Sequence, residues 1–410
     1  MKKKLGMFMA TVAAGIMFMA MSVSAATPVK IDANTFPDSY LRELVQQYDL
    51  NKDGMLQEEE IAKVKKITIY KFPAKDELVY NENSNSPKAI NYYTKKDLKF
   101  NCKGLEQFTK LEKLTLNMQN MYYRDVKITN FKKVYEIKSL KNLEIWDAGI
   151  TKLDVSKLKN IQRLDINSES VKNINFKGNK ELKTLIVRDT KSLKSMNIEA
   201  LPALNKVELE IVPIKNIKFG KKNATIKKLR IEDSILKKHK NKYYIKSVDI
   251  SELKNLKKLM LDGLNVEKIA LSKNKKLKEL YVDECRNLQT LDTSKNKSLK
   301  ILMVEDCNKL KTIDVHNNKN LKEIRSDGKY TDKIVLAKGN KVEIIIWHNS
   351  KLKDFNVVNV NPIAIKEIFV NGTKIKKINV KKYKKLNYLS VNKKTKVIKS
   401  KKQKIEISKI

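Results

Sequence analysis

Hydrophobic positions in the middle of the chain repeat with a fixed period. The apolar positions that begin at Leu277 return at Leu299 and again at Leu321, 22 residues apart each time. Within each unit a second rhythm places Leu288 11 residues after Leu277, and each half reads apolar-x-x-apolar-x-apolar-x-x-(Asn or Cys)-x-x. A fixed period in the twenties predicts a solenoid, because a single coil cannot bury its own apolar edge and therefore stacks on its neighbour.

Two kinds of position in each unit predict its local structure. Leu280 and Val282 alternate with Tyr281, which predicts a short strand that points two side chains inward and one outward. The Asn or Cys position falls where the backbone turns, and an inward Asn amide can bond turn N–H and C=O groups that no ladder pairs. Stacked coils then align these residues in two turn columns, one of Asn179, Asn274, Asn296 and Asn318, the other of Cys285 and Cys307.

This pattern resembles the leucine-rich repeat family, whose consensus is L-x-x-L-x-L-x-x-N/C-x-L. The period of 21 to 22 residues, with Cys at the turn, is most similar to bacterial surface repeats of the internalin J type. The resemblance covers about three quarters of the chain. It implies a mainly β fold, namely a leucine-rich-repeat solenoid of short parallel strands with about 13 coils.

The apolar residue that opens each coil can be located along residues 111–410. It stands at Leu111, Leu140, Ile161, Leu182, Leu204, Ile226, Leu256, Leu277, Leu299, Leu321, Val342, Ile365 and Leu386. Two steps are longer than the rest, with extra residues around 118–125 and 236–244. The second insertion is basic and aromatic and contains Tyr243 and Tyr244. Loops that leave a solenoid on one side often carry contacts, so these tyrosines are candidate binding residues, although a tolerated insertion explains the loop as well.

The residues before the array divide into three segments. Residues 1–26 have the pattern of a signal peptide, because three lysines precede an apolar run over 5–21 and small residues follow it. An uncleaved anchor is the alternative. Residues 27–66 predict a small helical cap, and residues 67–110 a transitional strand and loop with the first irregular coil. No other stretch is apolar enough to span a membrane. The leader predicts a secreted, extracellular protein, and the style of leader and repeats indicates a Gram-positive bacterium.

A calcium-binding loop is predicted inside the cap. The twelve residues from Asp49 to Glu60 match the EF-hand pattern D-x-N-x-D-G-x-x-x-x-x-E. Gly54 allows the sharp turn, and Glu60 at position twelve can chelate with both carboxylate oxygens. The predicted ligands are Asp49, Asn51, Asp53, the Met55 carbonyl, Gln57 and Glu60. A degenerate loop that only caps the array is the alternative.

This calcium loop is single, whereas EF-hand sensors pair two loops and expose a groove. One structural calcium ion is therefore expected, and it would stiffen the cap and shield the open edge of the first coil. The segment resembles an EF-hand or dockerin-like loop. The order of cap and repeats resembles the N-terminal part of many clostridial-type secreted repeat proteins.

The chain is strongly basic. Its 410 residues include 87 Lys and Arg against 46 Asp and Glu, a formal net charge of +41. For an exported chain, wall polymers, acidic glycans or membrane headgroups fit this charge better than nucleic acid, which is not expected as a partner. The alternative is that lysine only keeps a long solenoid soluble.

The three cysteines are too few for a disulfide framework. Cys285 and Cys307 are expected on neighbouring coils, about 5 Å apart. The pattern is consistent either with a bridge between them or with two buried thiols packed in the turn column. Cys102 has no obvious partner in the sequence.

The outward residues of the first strand predict a contact surface. Met260, Tyr281 and Met303 form an apolar run on adjacent coils, which makes them candidate binding residues. A mostly acidic column is expected just after the strands, at Asp147, Asp189, Glu232, Asp262, Asp283 and Glu305. Lysine ridges are expected on the turns, at Lys157, Lys177, Lys273, Lys295 and Lys319. These columns are either solvated faces or a two-sided surface that offers lysine to an anionic polymer and the strand face to a protein.

No catalytic motif is visible, so an enzyme is not expected. His239, His316 and His348 are scattered, and the carboxylate pairs follow the repeat instead of converging on one site. The predicted function is an exported bacterial binding scaffold, a monomer that recognises or adheres to an unidentified protein or glycan at the cell surface. The alternative is a wall-associated structural protein held to anionic cell-wall polymers by its lysine ridges.

Overall fold

One long parallel sheet runs the length of the repeat array in the computed structural model, which describes residues 27–70, 99–118, 126–233, 245–327, 331–348 and 351–410. This sheet, here called the main sheet, has 15 strands that follow each other in chain order. Its strands are Lys66–Tyr70, Lys113–Asn117, Asn142–Trp146, Arg163–Asn167, Thr184–Arg188, Lys206–Glu210, Lys228–Glu232, Lys258–Asp262, Glu279–Asp283, Ile301–Glu305, Glu323–Asp327, Ile344–Trp347, Glu367–Phe369, Tyr388–Val391 and Glu406–Lys409.

The repeat pattern explains why these residues form strands in register. Each of the thirteen expected coil openings lies two residues before a strand of the main sheet, as Leu277 lies before Glu279–Asp283. Leu280 of that strand is the Cα partner of Leu259 on one side and of Leu302 on the other. The inward positions of successive coils therefore stack on each other. The mainly β, parallel-strand solenoid expected from the sequence is confirmed.

The return side of the coils carries only short strand groups. They are Lys99–Asn101 with Lys127–Thr129, Lys152–Asp154 with Asn173–Asn175, Asn216–Lys218 with Ser247–Asp249, Thr312–Val315 with Lys333–Leu336 and Val357–Val358, and Lys377–Asn379 with Lys396–Ile398. Short 3₁₀ helices at Leu105–Gln107, Phe131–Glu136, Val155–Lys157 and Lys221–Thr225 complete this side. The main sheet is therefore the continuous, regular face of the molecule.

The cap contributes two short helices, α1 (Ser39–Gln46) and α2 (Glu58–Lys63). Asp38 caps α1, because one of its carboxylate oxygens accepts a hydrogen bond from the Leu41 N–H at 3.1 Å. Leu41, Leu44 and Val45 are buried on one side of α1 and belong to the same hydrophobic core as the coils. Each fully buried aliphatic side chain of this kind contributes about 1.5–3 kcal/mol.

The cap is attached to the first coil by aromatic packing and by one charge-assisted hydrogen bond. The second oxygen of Asp38 accepts from the Asn101 N–H at 3.0 Å. The rings of Phe36 and Phe108 lie 6.4 Å apart. Gly104 has a φ of +101°, and a Cβ there would lie 2.3 Å from the Phe36 ring, so only glycine fits at this contact. The cap thus covers the open end of the hydrophobic core.

The described residues leave out two of the segments that the sequence analysis singled out. None of the helices in the described ranges is long and apolar enough to cross a membrane. The predicted signal peptide, 1–26, lies outside the described residues. Tyr243 and Tyr244 of the basic insertion lie outside them as well.

Candidate functional site: the outward face of the main sheet

The outward face of the main sheet is built from three columns of side chains. In a strand of five residues the first, third and fifth side chains point to solvent, and parallel strands in register stack each position on the next coil. Met260, Tyr281 and Met303 are Cα partners on three successive strands, so the structure brings these predicted residues side by side. All three are half-buried. They form the apolar stretch of the middle column.

Neighbours in the first column fix the orientation of the Tyr281 ring. The Lys258 ammonium lies 4.7 Å from the centre of the ring. The Tyr281 hydroxyl donates to a Glu279 carboxylate oxygen at 3.3 Å, and that carboxylate pairs with Lys258 at 3.0 Å. A cation over the ring face is favourable, and the contacts limit the rotation of the side chain. The ring is therefore pre-organised on the sheet.

The middle column continues beyond the three residues expected from the sequence. Arg325 stands next to Met303, and Ile346 and Phe369 follow on the next two strands. Both apolar residues are half-buried, and the Phe369 ring lies 5.1 Å from that of Tyr388. The same rule that selected Tyr281, the third position of the strand, could have found them.

The fifth position of the strands forms a column of carboxylates, here called the acid column. It consists of Glu232, Asp262, Asp283, Glu305 and Asp327. Glu232 and Asp262, Asp262 and Asp283, and Glu305 and Asp327 are direct Cα partners. The sequence predicted an acidic column just after the strands that included Asp147 and Asp189, but the other four acids lie within their strands, so Asp147 and Asp189 are not aligned with them. Both lie one residue beyond their strands, in turns with φ of +48° and +46°.

Burial and mutual repulsion destabilise the charged form of these acids. Burial, followed by the charges of Asp283 and Glu232, raises the pKa of Asp262 to about 7. Burial also raises the pKa of Asp283, and the hydrogen bond that its carboxylate accepts from the Glu284 N–H opposes this rise only in part. The pKa of Glu305 is raised by burial and then by Asp283 and Asp327. The acid column is therefore short of positive charge.

The N-terminal half of the same face is, by contrast, neutralised by ion pairs. Asp165, which is 3% exposed, is held by Arg163 at 2.8 Å and by Arg188 at 2.9 Å. Arg188 also reaches Glu208 at 3.2 Å and Glu210 at 3.4 Å. In the described ranges, none of the four acids from Asp262 to Asp327 has a basic nitrogen within 4.0 Å.

The Asn turn column joins coils through side-chain amides. The Asn296 amide donates to the carbonyls of Leu271 and Asn274 in the preceding coil, at 3.1 and 2.9 Å. Asn318 repeats this arrangement with Thr293 and Asn296. These amides therefore satisfy turn carbonyls that would otherwise be buried without a partner.

The earlier members of the column bond in the same direction. Asn274 donates to Ile250 and Leu253, and Asn179 donates to Leu158 at 3.1 Å.

Asn223 and Gln403 take the same role and were missed. Asn223 donates to the carbonyls of Ile198 and Leu201 at 2.9 and 3.0 Å. Asn223 stands three residues before a coil opening, as do the four predicted asparagines, so the spacing could have identified it. Gln403 donates to Val380 and Tyr383, both at 3.0 Å. Gln403 could not be identified in this way, because the repeat pattern specifies Asn or Cys at the turn and not Gln.

Cys285 and Cys307 are free thiols buried in the other turn column. Their sulfurs lie 4.0 Å from the Leu261 carbonyl and 3.9 Å from the Val282 carbonyl, each in the preceding coil. The adjacent Cys285 sulfur and burial raise the pKa of the Cys307 thiol. Of the two arrangements left open by the sequence, this structure has the pair of thiols.

The EF-hand-like loop is closed by its own backbone. The two oxygens of Asp49 accept from the N–H groups of Asp53 at 3.2 Å and of Gly54 at 2.9 Å. Gly54 has a φ of +80°, as the sharp turn requires. Glu60 accepts from the Leu50 N–H at 2.6 Å and from the Gln57 N–H at 2.9 Å. The first and last predicted ligands therefore lie on one compact loop.

The remaining predicted ligands line the same loop. One oxygen of Asp53 accepts from the side-chain amides of Asn51 and Gln57 at 3.0 and 2.9 Å. The other accepts from the Met55 N–H at 2.8 Å. The predicted calcium ligands are all oxygen atoms, the ligand type that calcium prefers. In the part of the chain that the structure describes, no three His, Cys, Asp or Glu side chains converge on a metal position.

A short strand outside the loop supports it. Met55–Leu56 pairs antiparallel with Val29–Lys30, and the Ile31 N–H donates to the Gly54 carbonyl at 3.0 Å. Leu56 is fully buried and anchors the loop to the core. The short strand within the loop thus has a partner within the cap.

Comparison with known proteins shows the fold. No family model and no curated protein sequence matches this chain. The functional domain of InlJ from Listeria monocytogenes, which includes a cysteine ladder, is a similar solved structure. It has 17% identity and a TM-score of 0.57, and the match covers 92% of this chain and 78% of that one. The internalin InlF from the same organism has 14% identity and a TM-score of 0.50, with 93% and 98% covered. The chain therefore has the leucine-rich-repeat solenoid fold of internalin-type proteins.

Proposed function

We propose that this protein is a binding scaffold that recognises another protein through the outward face of its main sheet. The observation that carries this proposal is the stack of Met260, Tyr281 and Met303, which stand half-buried on adjacent strands. Tyrosine is enriched among the residues that contribute most to protein interfaces, and methionine adapts its shape to a partner. The fold supports the proposal as well, because a solenoid presents a long, rigid surface.

Catalysis is not part of the proposal. The three histidines are spread over the chain, and the acids of the main sheet occupy repeat positions instead of one cleft. The predicted leader places the scaffold outside the cell, and the predicted calcium loop would stabilise its cap. Adhesion or recognition at a bacterial surface is the role that combines these features.

The substitution Tyr281→Asp tests the proposal. A charge at this position should weaken binding to the protein partner at least about tenfold, because the aromatic anchor is lost and a carboxylate is desolvated on contact. The partner would be captured by cross-linking from isolated cell surfaces and its affinity measured by surface plasmon resonance. Tyr70→Asp, at an exposed outward position on the first strand of the main sheet, is the matched control. If the Tyr281→Asp variant is folded and binds the partner with unchanged affinity, the proposal is contradicted.

A second function is favoured by a column of lysines at the opposite edge of the main sheet. Lys227, Lys257, Lys278, Lys300 and Lys322, here called the lysine column, each stand just before a strand and are exposed. Each of the last four donates its backbone N–H to the carbonyl of the previous one, at 2.7–2.8 Å. Their ammonium groups can therefore follow a linear polyanion at a spacing of about 4.8 Å. Retention on anionic wall polymers is the corresponding role.

A further inference from the structure

The middle column and the acid column lie next to each other on the same strands. Met260 and Asp262 are two residues apart on one strand, as are Tyr281 and Asp283, and Met303 and Glu305. Residues two apart on a strand point to the same face, about 7 Å from each other. On each of these three adjacent strands, the candidate face therefore presents one apolar side chain of the middle column next to one acidic side chain of the acid column.

A cation of the chain itself fills the equivalent place in the N-terminal half. Arg188 stands at the fifth position of its strand, which is the position of the acid column, and pairs with Asp165, Glu208 and Glu210. On the strands from Lys258–Asp262 to Glu323–Asp327, this position is always acidic. Arg230 pairs with Glu232, the first acid of the column, and Arg325 pairs with Glu323, so neither forms an ion pair with the acids from Asp262 to Asp327.

We propose that the partner of this face is a basic polypeptide segment, which lays large apolar side chains on Met260, Tyr281 and Met303 and places Lys or Arg on the acid column. This inference rests on the proposed function, because it assigns the chemistry of the partner at the same face. Arg188 shows how such a guanidinium fits among stacked carboxylates of this sheet. The rest of the chain is strongly basic, so a cationic segment would be repelled elsewhere and directed to this column.

The electrostatics of the column agree with this assignment. The pKa of Asp262 is raised to about 7 by burial and by Asp283, Glu232 and Glu284, and Arg230 offsets this only in part. A bound cation would favour the charged form of these acids and relieve their repulsion. The partner would thereby supply the positive charge that the coils themselves lack.

Binding of two labelled peptides to the full chain tests the inference. One peptide alternates Arg and Leu over twelve residues, and the other has Glu in place of each Arg. Fluorescence anisotropy in about 0.1 M salt should show saturable binding of the Arg peptide only. Asp262→Asn with Asp283→Asn and Glu305→Gln should raise its Kd about tenfold or more. A chain that does not bind the Arg peptide would overturn the inference.

A matched variant controls for the change of net charge. Asp249, Asp292 and Asp314 are exposed on the return side of the coils, so Asp249→Asn with Asp292→Asn and Asp314→Asn removes the same charge elsewhere. This variant should bind the Arg peptide like the unaltered chain. Equal losses in both triple variants would mean attraction by overall charge only and would also overturn the inference. The acid-column variant should melt no lower than the unaltered chain, because repulsion is removed, so its loss of binding cannot come from unfolding.

The inference and the proposed function can fail separately. If Tyr281→Asp abolishes binding of the Arg peptide while the acid-column variant binds it normally, the face is a binding face but its partner is not selected by charge. If the protein partner captured from cell surfaces binds the acid-column and Tyr281→Asp variants normally, both fail. Analytical ultracentrifugation tests whether a second copy of the chain occupies the face. If the unaltered chain self-associates and the acid-column variant does not, the occupant is a second copy, and the assignment to a separate polypeptide is overturned.

Discussion

At the scale of single residues, the repeat sets the direction of each side chain but not its electrostatic state. Asp165 and Asp262 are outward residues of the main sheet, at the third and fifth positions of their strands, yet two arginines hold Asp165 while Asp262 has acids on both sides. The turn asparagines show the opposite case. Asn296 and Asn318 make the same pair of hydrogen bonds, because both amides meet the same backbone geometry in the preceding coil.

The substitution Asp262→Asn should change how stability depends on pH. Because the pKa of Asp262 is about 7 in the folded protein and 3.8 when unperturbed, protonated Asp262 favours the fold. This contribution is present below pH 3.8 and is lost as pH rises through 7. Asparagine cannot ionise, so the variant should be more stable than the unaltered chain at pH 8, by about 1 kcal/mol after solvent screening.

Urea unfolding at pH 5 and pH 8 measures this difference. The gain in the free energy of unfolding should be larger at pH 8 than at pH 5. Asp292→Asn, at an exposed position on the return side, should show no such gain at pH 8. A variant of Asp262 that is less stable at pH 8 would contradict the assignment.

At the scale of elements, the EF-hand-like loop is a folded part of the cap before any metal is considered. Its carboxylates accept backbone N–H groups, and Met55–Leu56 is held by Val29–Lys30. Three carboxylates on one short loop repel each other, so a divalent cation should stabilise it. Since the cap shares one core with the first coil, a stiffer loop should protect the array end as well.

Calcium should raise the melting temperature of the protein by a few degrees. At about 100 times its Kd a ligand stabilises by about 2.7 kcal/mol, which is spread over a long solenoid. Asp49→Ala with Glu60→Ala should remove the rise, as measured by calorimetry with calcium and with chelator. Glu43→Ala with Glu59→Ala removes two exposed acids nearby and should retain it. A chain indifferent to chelator would show that the loop only caps the array.

At the scale of the whole molecule, charge is separated across the main sheet. The lysine column lies at the start of the strands and the acid column at their end, with the apolar middle column between them. Although the net charge of the chain is +41, the two edges of the main sheet therefore carry charges of opposite sign. One face of the solenoid could hold a polyanion at its lysine edge while its apolar and acidic rows remain open to a protein.

Binding to isolated Gram-positive cell walls across a salt series tests the lysine edge. Binding should be strong at low salt and lost at about 0.5 M, because exposed charges are screened beyond a few ångströms there. Lys227→Gln with Lys257→Gln and Lys278→Gln should weaken it more than Lys381→Gln with Lys384→Gln and Lys401→Gln, which are exposed lysines of the last coils. The absence of binding at low salt would leave the lysines a solubilising role only.

The local pattern of the sequence was sufficient to predict the solenoid fold. An apolar residue that recurs mostly every 21 or 22 positions, with alternation after it, predicted where thirteen strands of the main sheet begin, because inward and outward directions follow from the period alone. The same period predicted that Met260, Tyr281 and Met303 would be neighbours. The match of Asp49–Glu60 to an EF-hand pattern was equally local, since all its positions lie within twelve residues.

The tertiary structure decided which side chains meet between coils. Glu232 and Asp262 are 30 residues apart in the chain and still face each other, whereas Asp147 and Asp189 leave the column through left-handed turns. Such outcomes depend on how each turn closes and on how far a long side chain such as Arg188 reaches across neighbouring strands. The sequence by itself therefore determined the solenoid and its buried rows, because these follow from one repeated local rule. The acid column and its shortage of positive charge arise only when unequal coils are stacked.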